Sequence, residues 1–372
     1  MTKYNYVAPC IFGVEGILSN ELKRMGAEGV SAQNGRVLFS GGENILARAN
    51  ISSRFAERIM ISVGSFNAES FDELFEGVKA LPFEQFIGKQ DAFPVNGHSI
   101  DSALHSIPDC QSIIKKAIVE RLKLHYRTDW FEETGPKVFI RFLIMKNNVS
   151  IMIDTSGHGL HKRGYRENSN AAPIKETLAA AMCDCARIFP DTALYDPLCG
   201  SGTILIEAAL MAKKYAPGLK SFFAAEKFSF TDKSVWQEER RLATDNILRD
   251  IDFHAYGYDI DPEAVKLTLE NAKKAGVEKY VTAEVRDIKD FKVTSGYAKV
   301  ITNPPYGERL LDVKEAERIY TQMGDVFRLG DGKKYFIISP DEDFEKFFGV
   351  TADKRRKLYN GMIKCQLYMY LK

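Results

Sequence analysis

The chain has 372 residues, of which 45% are hydrophobic and 27% charged, and a formal net charge of +1. That length predicts roughly two to three globular domains, and the composition excludes a disordered or fibrous chain. No stretch approaches the ~20 apolar residues of a membrane span, the opening MTKYNYVAPC shows no secretory signal pattern, and a charge this close to zero leaves nucleic-acid binding only to a local basic face.

The first ~160 residues predict small alternating α and β elements. GVEGILSNELKRMGA (13–27) is an amphipathic helix and RVLFSG (36–41) a strand. NILARANISSRFAERIMISVGSF (44–66) runs from a helix into a strand, and QSIIKKAIVERLKLHYR (111–127) is helical. KVFIRFLIMKNNVSIMIDTSG (137–157) is a hairpin around Asn147-Asn148. The polar GHGLHKRGYRENSNAAP (157–173) is a natural domain boundary.

Beyond it, strands alternate with helices: TALYDPL (192–198), helix 203–215, HAYGYDI (254–260), helix 261–276, YVTAEVRDI (280–288), AKVITNPPY (298–306), helix 313–329 and KKYFIIS (333–339). This pattern predicts a doubly wound parallel sheet. A short helix, FEKFFG, follows, and then two β-like runs broken by Asn360-Gly361, an antiparallel hairpin at the end of the sheet.

Six scattered cysteines (Cys10, Cys110, Cys183, Cys185, Cys199, Cys365) do not form a disulfide framework. They predict reduced thiols and a cytoplasmic protein. Cys183-x-Cys185 has no further ligand at metal spacing, so a helix-borne structural role and no metal are expected.

The chemistry is concentrated at strand ends. DPLCGSGT (196–203) turns a strand into a helix through Gly200 and Gly202, which allow close ligand approach to free helix N–H groups. A dinucleotide fold would place its ribose acid about 20 residues on. Here Asp259 comes after an inserted segment (about 214–253) but still closes the next strand, placed for ribose hydroxyls. Asp261 precedes Pro262 and fits a helix N-cap. Asp287 is either an acceptor for an adenine amino group or a loop carboxylate. Asn303 and the Pro304 carbonyl can together take both hydrogens of an exocyclic amine. Pro305 stiffens the segment, and Tyr306 offers a face for a base swung from its stack. Cys199 is expected to line the cofactor pocket rather than act as a nucleophile. In HKRGYR, Lys162, Arg163 and Arg166 surround an aromatic, which suits RNA contact, with a solvated linker as the alternative. DKRRK (353–357) is read as a solvated charged run.

DPLCGSGT, GYDID, RDI and NPPYGERL resemble the class I S-adenosylmethionine-dependent amino-methyltransferases. With GLHKRGYR, APIKETLAAAM and APGL, the whole chain resembles THUMP-domain RNA guanine-N2 methyltransferases, specifically the N-terminal half of the bifunctional enterobacterial 23S rRNA enzyme. The resemblance implies a ferredoxin-like segment (1–44), a THUMP RNA-binding domain (45–155) and a Rossmann-like α/β methyltransferase domain (156–372). It implies S-adenosylmethionine contacts at Lys175, Glu176, Thr177, Asp196, Pro197, Cys199, Gly200, Ser201, Gly202, Thr203, Asp259, Ile260, Asp287 and Asn303. The catalytic segment is Asn303, Pro304, Pro305 and Tyr306. The expected partner is RNA, 23S rRNA or tRNA, with no membrane and no obligate protein partner. Methylation of tRNA guanine N2 or DNA adenine N6 is the alternative within enzymes, and an RNA-binding ribosome-assembly factor is the alternative outside them.

Overall fold

The computed structural model describes residues 3–166, 174–306, 313–330 and 332–372. The Gly-Glu-Arg after Tyr306 and the Ala-Pro that opens APIKETL lie outside them.

The N-terminal part comprises β1 (Tyr4–Pro9), α1 (Glu15–Arg24), β2 (Glu28–Gln33), β3 (Arg36–Gly41), α2 (Glu43–Ser52) and β4 (Met60–Asn67). It continues with α3 (Phe71–Lys79), β5 (Val95–Ile100), α4 (Ile107–Tyr126), β6 (Phe139–Met145) and β7 (Asn148–Asp154). The first six elements make a βαββαβ ferredoxin-like unit. Its last strand is a joint: β4 pairs with β1 on one side and β7 on the other, so a single sheet runs β2-β3-β1-β4-β7-β6-β5. The two N-terminal units therefore share one sheet and one apolar core. The β6–β7 turn falls on Lys146 and Asn147, one residue earlier than expected. Both have positive φ (50° and 63°), as a I′ hairpin turn requires.

The C-terminal part comprises α5 (Glu176–Cys185), β8 (Ala193–Asp196), α6 (Thr203–Ala212), α7 (Lys233–Asp245), β9 (His254–Asp259), α8 (Pro262–Ala275) and β10 (Val281–Val285). Then follow β11 (Ala298–Thr302), α9 (Val313–Val326), β12 (Lys333–Ser339), α10 (Phe344–Phe348), β13 (Lys354–Asn360) and β14 (Ile363–Tyr370). The strand order is β10-β9-β8-β11-β12-β14-β13, parallel up to β12 and then antiparallel through β14 and β13. Leu194, Val300, Ile301 and Ile337 of the central strands are fully buried, each contributing roughly 1.5–3 kcal/mol of apolar burial. The order of crossovers reverses between β8 and β11, which opens a crevice at their carboxyl ends.

The segment that delays Asp259 has a structural role. It carries α7, whose Glu239 takes a bidentate contact from Arg48 of α2 at 2.7 and 2.8 Å. Residues 157–166 are likewise not a solvated linker. Tyr165 is buried, and its hydroxyl donates to Glu207 Oε1 at 3.0 Å. The DKRRK run also does more than face solvent, since Arg356 Nη2 donates to the Gly13 carbonyl at 2.9 Å, across the two parts of the chain.

Candidate active site

Between β8 and α6 the backbone makes a tight turn, with Gly200 and Gly202 at φ 54° and 77°. A side chain at Gly202 would meet Thr268 Cγ2 at 2.7 Å. Two α8 side chains fix the turn: Thr268 Oγ1 donates to the Gly200 carbonyl (2.8 Å) and Asn271 Nδ2 to the Ser201 carbonyl (3.0 Å). Asp259, at the end of β9, accepts from the Gly200 N–H at 2.9 Å through Oδ2 and from the Asp261 N–H at 3.0 Å through Oδ1. One carboxylate thus couples the glycine turn to the start of α8. Asp261 caps α8 by accepting from the Glu263 N–H at 2.9 Å.

Asp196 closes β8 and is buried. Its Oδ1 accepts from Thr302 Oγ1 (2.8 Å) and the Leu198 N–H (3.2 Å). Burial, assisted by the Asp259 carboxylate, pushes its carboxyl up to about 7 against these hydrogen bonds. Asp287 caps the short turn after β10 through the Lys289 N–H at 3.0 Å. Cys199 is buried against Thr268, and burial raises its thiol far above the usual range, so it is no nucleophile.

These strand ends open on one cleft of about 770 Å³, a volume that accommodates a nucleoside-sized ligand with room for a second. Its walls include Lys175, Asp196, Cys199, Gly200, Ser201, Thr203, Asp259, Ile260 and Asp287. Asn303, Pro304, Pro305 and Tyr306 follow β11 into the same cleft, facing α9 and the β13–β14 turn. Tyr306 donates its hydroxyl to Asn303 Oδ1. Burial keeps the Tyr306 phenol protonated far above the usual range, so it is a donor and not a base. Asn360 Nδ2 reaches the same hydroxyl at 3.5 Å.

Other expected site residues stand elsewhere. Pro197 and Gly202 shape the turn behind the cleft wall. Thr177 is buried, and its hydroxyl donates to Glu57 Oε1 at 2.6 Å. Glu176 is buried against Arg166, whose Nη2 lies 3.0 Å from Glu176 Oε2 and whose Nη1 donates to the Ile174 carbonyl at 2.8 Å. Arg163 is only 3% exposed in its side chain and donates to the Arg54 carbonyl at 2.7 Å. Arg163 and Arg166 are therefore corrected from RNA contacts to struts that hold the two parts of the chain and the cleft wall. Lys162 alone of the three is exposed.

Glu57, between α2 and β4, was not anticipated. Besides Thr177, it takes Lys175 Nζ at 3.3 Å, and His161 Nδ1 lies 3.1 Å away. Burial would raise its carboxyl, but His161, Thr177 and the Lys175 ammonium outweigh burial and lower it from 4.5 to about 2. The N-terminal part thus reaches the cleft wall at Lys175 through one carboxylate. The Glu57 contribution is complete above pH 4.5 and is lost as pH falls toward 2. Glu57→Gln is expected to lower the melting temperature at pH 7, the gap to wild type narrowing at pH 3.5. Paired thermal scans check this, and a gap that does not depend on pH contradicts the ionic role.

Residues 163–369 match the family model described as RMKL-like, methyltransferase domain. Residues 5–60 match the RlmL ferredoxin-like domain and 68–154 the THUMP domain. The chain is 41% identical to "Putative RNA methyltransferase YpsC" of Bacillus subtilis (strain 168), over 100% of this chain and 96% of that protein. It is 31% identical to "Ribosomal RNA large subunit methyltransferase K/L" of Cellvibrio japonicus (strain Ueda107), over 99% of this chain but only 51% of that protein, about half of its length. The crystal structure of SMU.472, "a putative methyltransferase complexed with SAH", superposes with a TM-score of 0.95 at 40% identity, covering 100% of this chain and 98% of that one. With more than half its length matched by the methyltransferase model and relatives aligned along all of it, the chain belongs to the RMKL-like methyltransferase family, and S-adenosylmethionine is its cofactor.

Proposed function

We propose that the protein methylates the exocyclic N2 of a guanosine in RNA, with 23S rRNA as the substrate and the base turned out of its stack. The observation that carries this reading is the shared cleft. The Asn303–Tyr306 segment lies at the strand end beside the Gly200 turn and Asp259, so one cavity has room for both amine and methyl donor. S-adenosylmethionine supplies an activated sulfonium methyl. Lys175, Asp196, Gly200, Asp259 and Asp287 are the residues that would hold it. Asn303 Oδ1 and the Pro304 carbonyl accept the two amino hydrogens and aim the nitrogen, while the Tyr306 hydroxyl fixes the Asn303 amide. Catalysis by position suits a donor that needs no further activation.

The RNA reading is supported by the THUMP and RlmL ferredoxin-like matches and by the names of the two relatives. We assign RNA contact to the THUMP domain, matched over residues 68–154, and to Lys162, and place the enzyme in the cytoplasm with its substrate. Among the described residues no helix is long and apolar enough to cross a membrane. Adenine N6 and tRNA remain the competing substrates, because an Asn-Pro-Pro-Tyr segment serves either exocyclic amine. Nucleoside mass mapping of rRNA and tRNA from a deletion strain separates them. Loss of one N2-methylguanosine from 23S rRNA is expected. A loss confined to tRNA moves the target, and a lost N6-methyladenosine changes the base.

Asp196 adds a pH signature. Between the ordinary carboxylate range and about 7, the folded apoprotein keeps this group protonated while the unfolded chain ionises. Apoprotein stability therefore falls as pH rises through that window. A cation seated beside Asp196 favours its ionised form, and S-adenosylmethionine carries both a sulfonium and an ammonium. Cofactor binding at pH 6 is expected to release close to one proton, and at pH 8.5 almost none. Calorimetry in buffers of different ionisation heat measures this, and no buffer dependence at pH 6 contradicts it.

A further inference from the structure

The β13–β14 hairpin forms part of the cleft through Asn360, Gly361 and Ile363. Asn360 pairs directly with Ile363, so the turn has two central residues, Gly361 and Met362. Gly361 has φ 66°, the positive value that the first central residue of a II′ turn requires. Both strands that carry the turn are anchored: Leu358, Cys365 and Leu367 are buried, and Arg356 is tied to Gly13. At its tip Met362 is 96% exposed, the most exposed of the large apolar side chains among the described residues. A single exposed apolar residue needs no explanation on most surfaces. This one sits two residues from Asn360, whose amide reaches the Tyr306 hydroxyl, and between the cleft-lining Gly361 and Ile363, so it stands beside the cleft. Behind it, Phe12 and Tyr359 pack at 5.7 Å between ring centroids, and the Lys357 ammonium lies 5.4 Å from the Tyr359 ring. Strand alternation puts Tyr359 and Lys357 on the side of the hairpin away from Asn360, so its outer side is aromatic and cationic, which suits stacked bases and phosphates.

We propose that Met362 is the wedge of the enzyme: its side chain enters the RNA stack at the place vacated by the target nucleotide and delays the return of the base. This deepens the reading of a flipped-out substrate base and rests on it. Apolar side chains, methionine among them, unstack base steps in this way in other nucleic-acid complexes. The anchored hairpin gives the side chain the support a wedge needs. Its flexibility and lack of hydrogen-bonding groups make the insertion tolerant of the flanking sequence.

The test uses the full chain and two RNA oligonucleotides carrying the guanosine that wild type methylates in transcribed 23S rRNA. In one oligonucleotide it is paired within a hairpin, and in the other it is unpaired. Single-turnover methylation by Met362→Ala is expected to fall about tenfold or more on the hairpin and less than twofold on the unpaired strand. Met362→Leu should keep most of the hairpin rate, and cofactor affinity should be unchanged in both variants. A second hairpin, with 2-aminopurine at the target, reports base extrusion without methyl transfer, and its fluorescence rise should be weaker with Met362→Ala. Equal rate loss on both RNAs, or no loss on either, overturns the wedge while leaving guanine-N2 methylation standing. A wild-type enzyme that methylates neither transcript nor oligonucleotide overturns the substrate reading and the wedge with it.

Discussion

Asn303→Ala is expected to bind cofactor and RNA nearly normally and to transfer methyl about 10²–10³-fold more slowly, by analogy with the loss of one positioned oxyanion-hole donor. The side chain is small and lies at the end of β11 on the cleft wall, so its removal leaves the fold intact. In the proposed reaction its oxygen does its work as the amine attacks, when hydrogens bound to nitrogen become more acidic and hydrogen-bond more strongly. The Tyr306 hydroxyl on Asn303 Oδ1 refines the expectation for the tyrosine. Tyr306→Phe keeps the ring but frees the amide to rotate, so a moderate loss in rate is expected with RNA affinity retained. Tyr306→Ala should lose both. Single-turnover rates at saturating cofactor separate these outcomes. An Asn303→Ala enzyme as fast as wild type removes Asn303 from the chemistry.

The second large effect is at Asp259. Its two oxygens satisfy the Gly200 and Asp261 N–H groups at 2.9 and 3.0 Å. Asp259→Ala leaves both donors without this acceptor and removes the carboxylate proposed to hold the ribose hydroxyls. Hydrogen bonds to a charged acceptor are worth about 1.5–3 kcal/mol, so cofactor affinity should fall roughly 10–100-fold, with the glycine turn loosened. Asp259→Asn keeps an acceptor oxygen and should fall between the two. Calorimetric titration checks the order, and equal affinity in wild type and Asp259→Ala removes the residue from the cofactor site.

The legible part of the sequence was the part whose chemistry forces residue types at strand ends. The glycine turn, Asp259, Asp287 and Asn303 were placed by their positions at predicted strand ends, and they line one cleft because a doubly wound sheet gathers strand ends wherever the chain connects them. The β13–β14 hairpin was legible because the positive φ of Gly361 has few residues to choose from, although the central pair is Gly361-Met362, one residue later than Asn360-Gly361. Strand β2 was not, because EGVSAQ is an exposed polar edge without alternation, and β5, VNGHSI, has little more. HKRGYR misled for a physical reason. A basic and aromatic run is surface-like in one dimension, and nothing local tells that Glu207, more than 40 residues on, draws Arg163 and Tyr165 inward. Glu57 was invisible in the same way, since its partner Thr177 lies 120 residues away. The division into parts was drawn more sharply from sequence than it is in space. Arg54 donates to the Leu210 and Tyr215 carbonyls at 3.1 and 2.7 Å, and Arg48 grips Glu239. The catalytic part alone would expose these contacts, so the N-terminal part is a structural support of the active site as well as a candidate RNA grip.

The most direct measurement is the identity of the methylated nucleoside. Purified full-length protein is incubated with in vitro transcribed 23S rRNA and methyl-labelled S-adenosylmethionine, and the RNA is digested and resolved by mass spectrometry. Labelled N2-methylguanosine is expected with wild type and almost none with Asn303→Ala at equal cofactor occupancy. Labelled N6-methyladenosine, or a wild-type enzyme that binds cofactor and leaves the RNA unlabelled, would contradict the guanine-N2 reading.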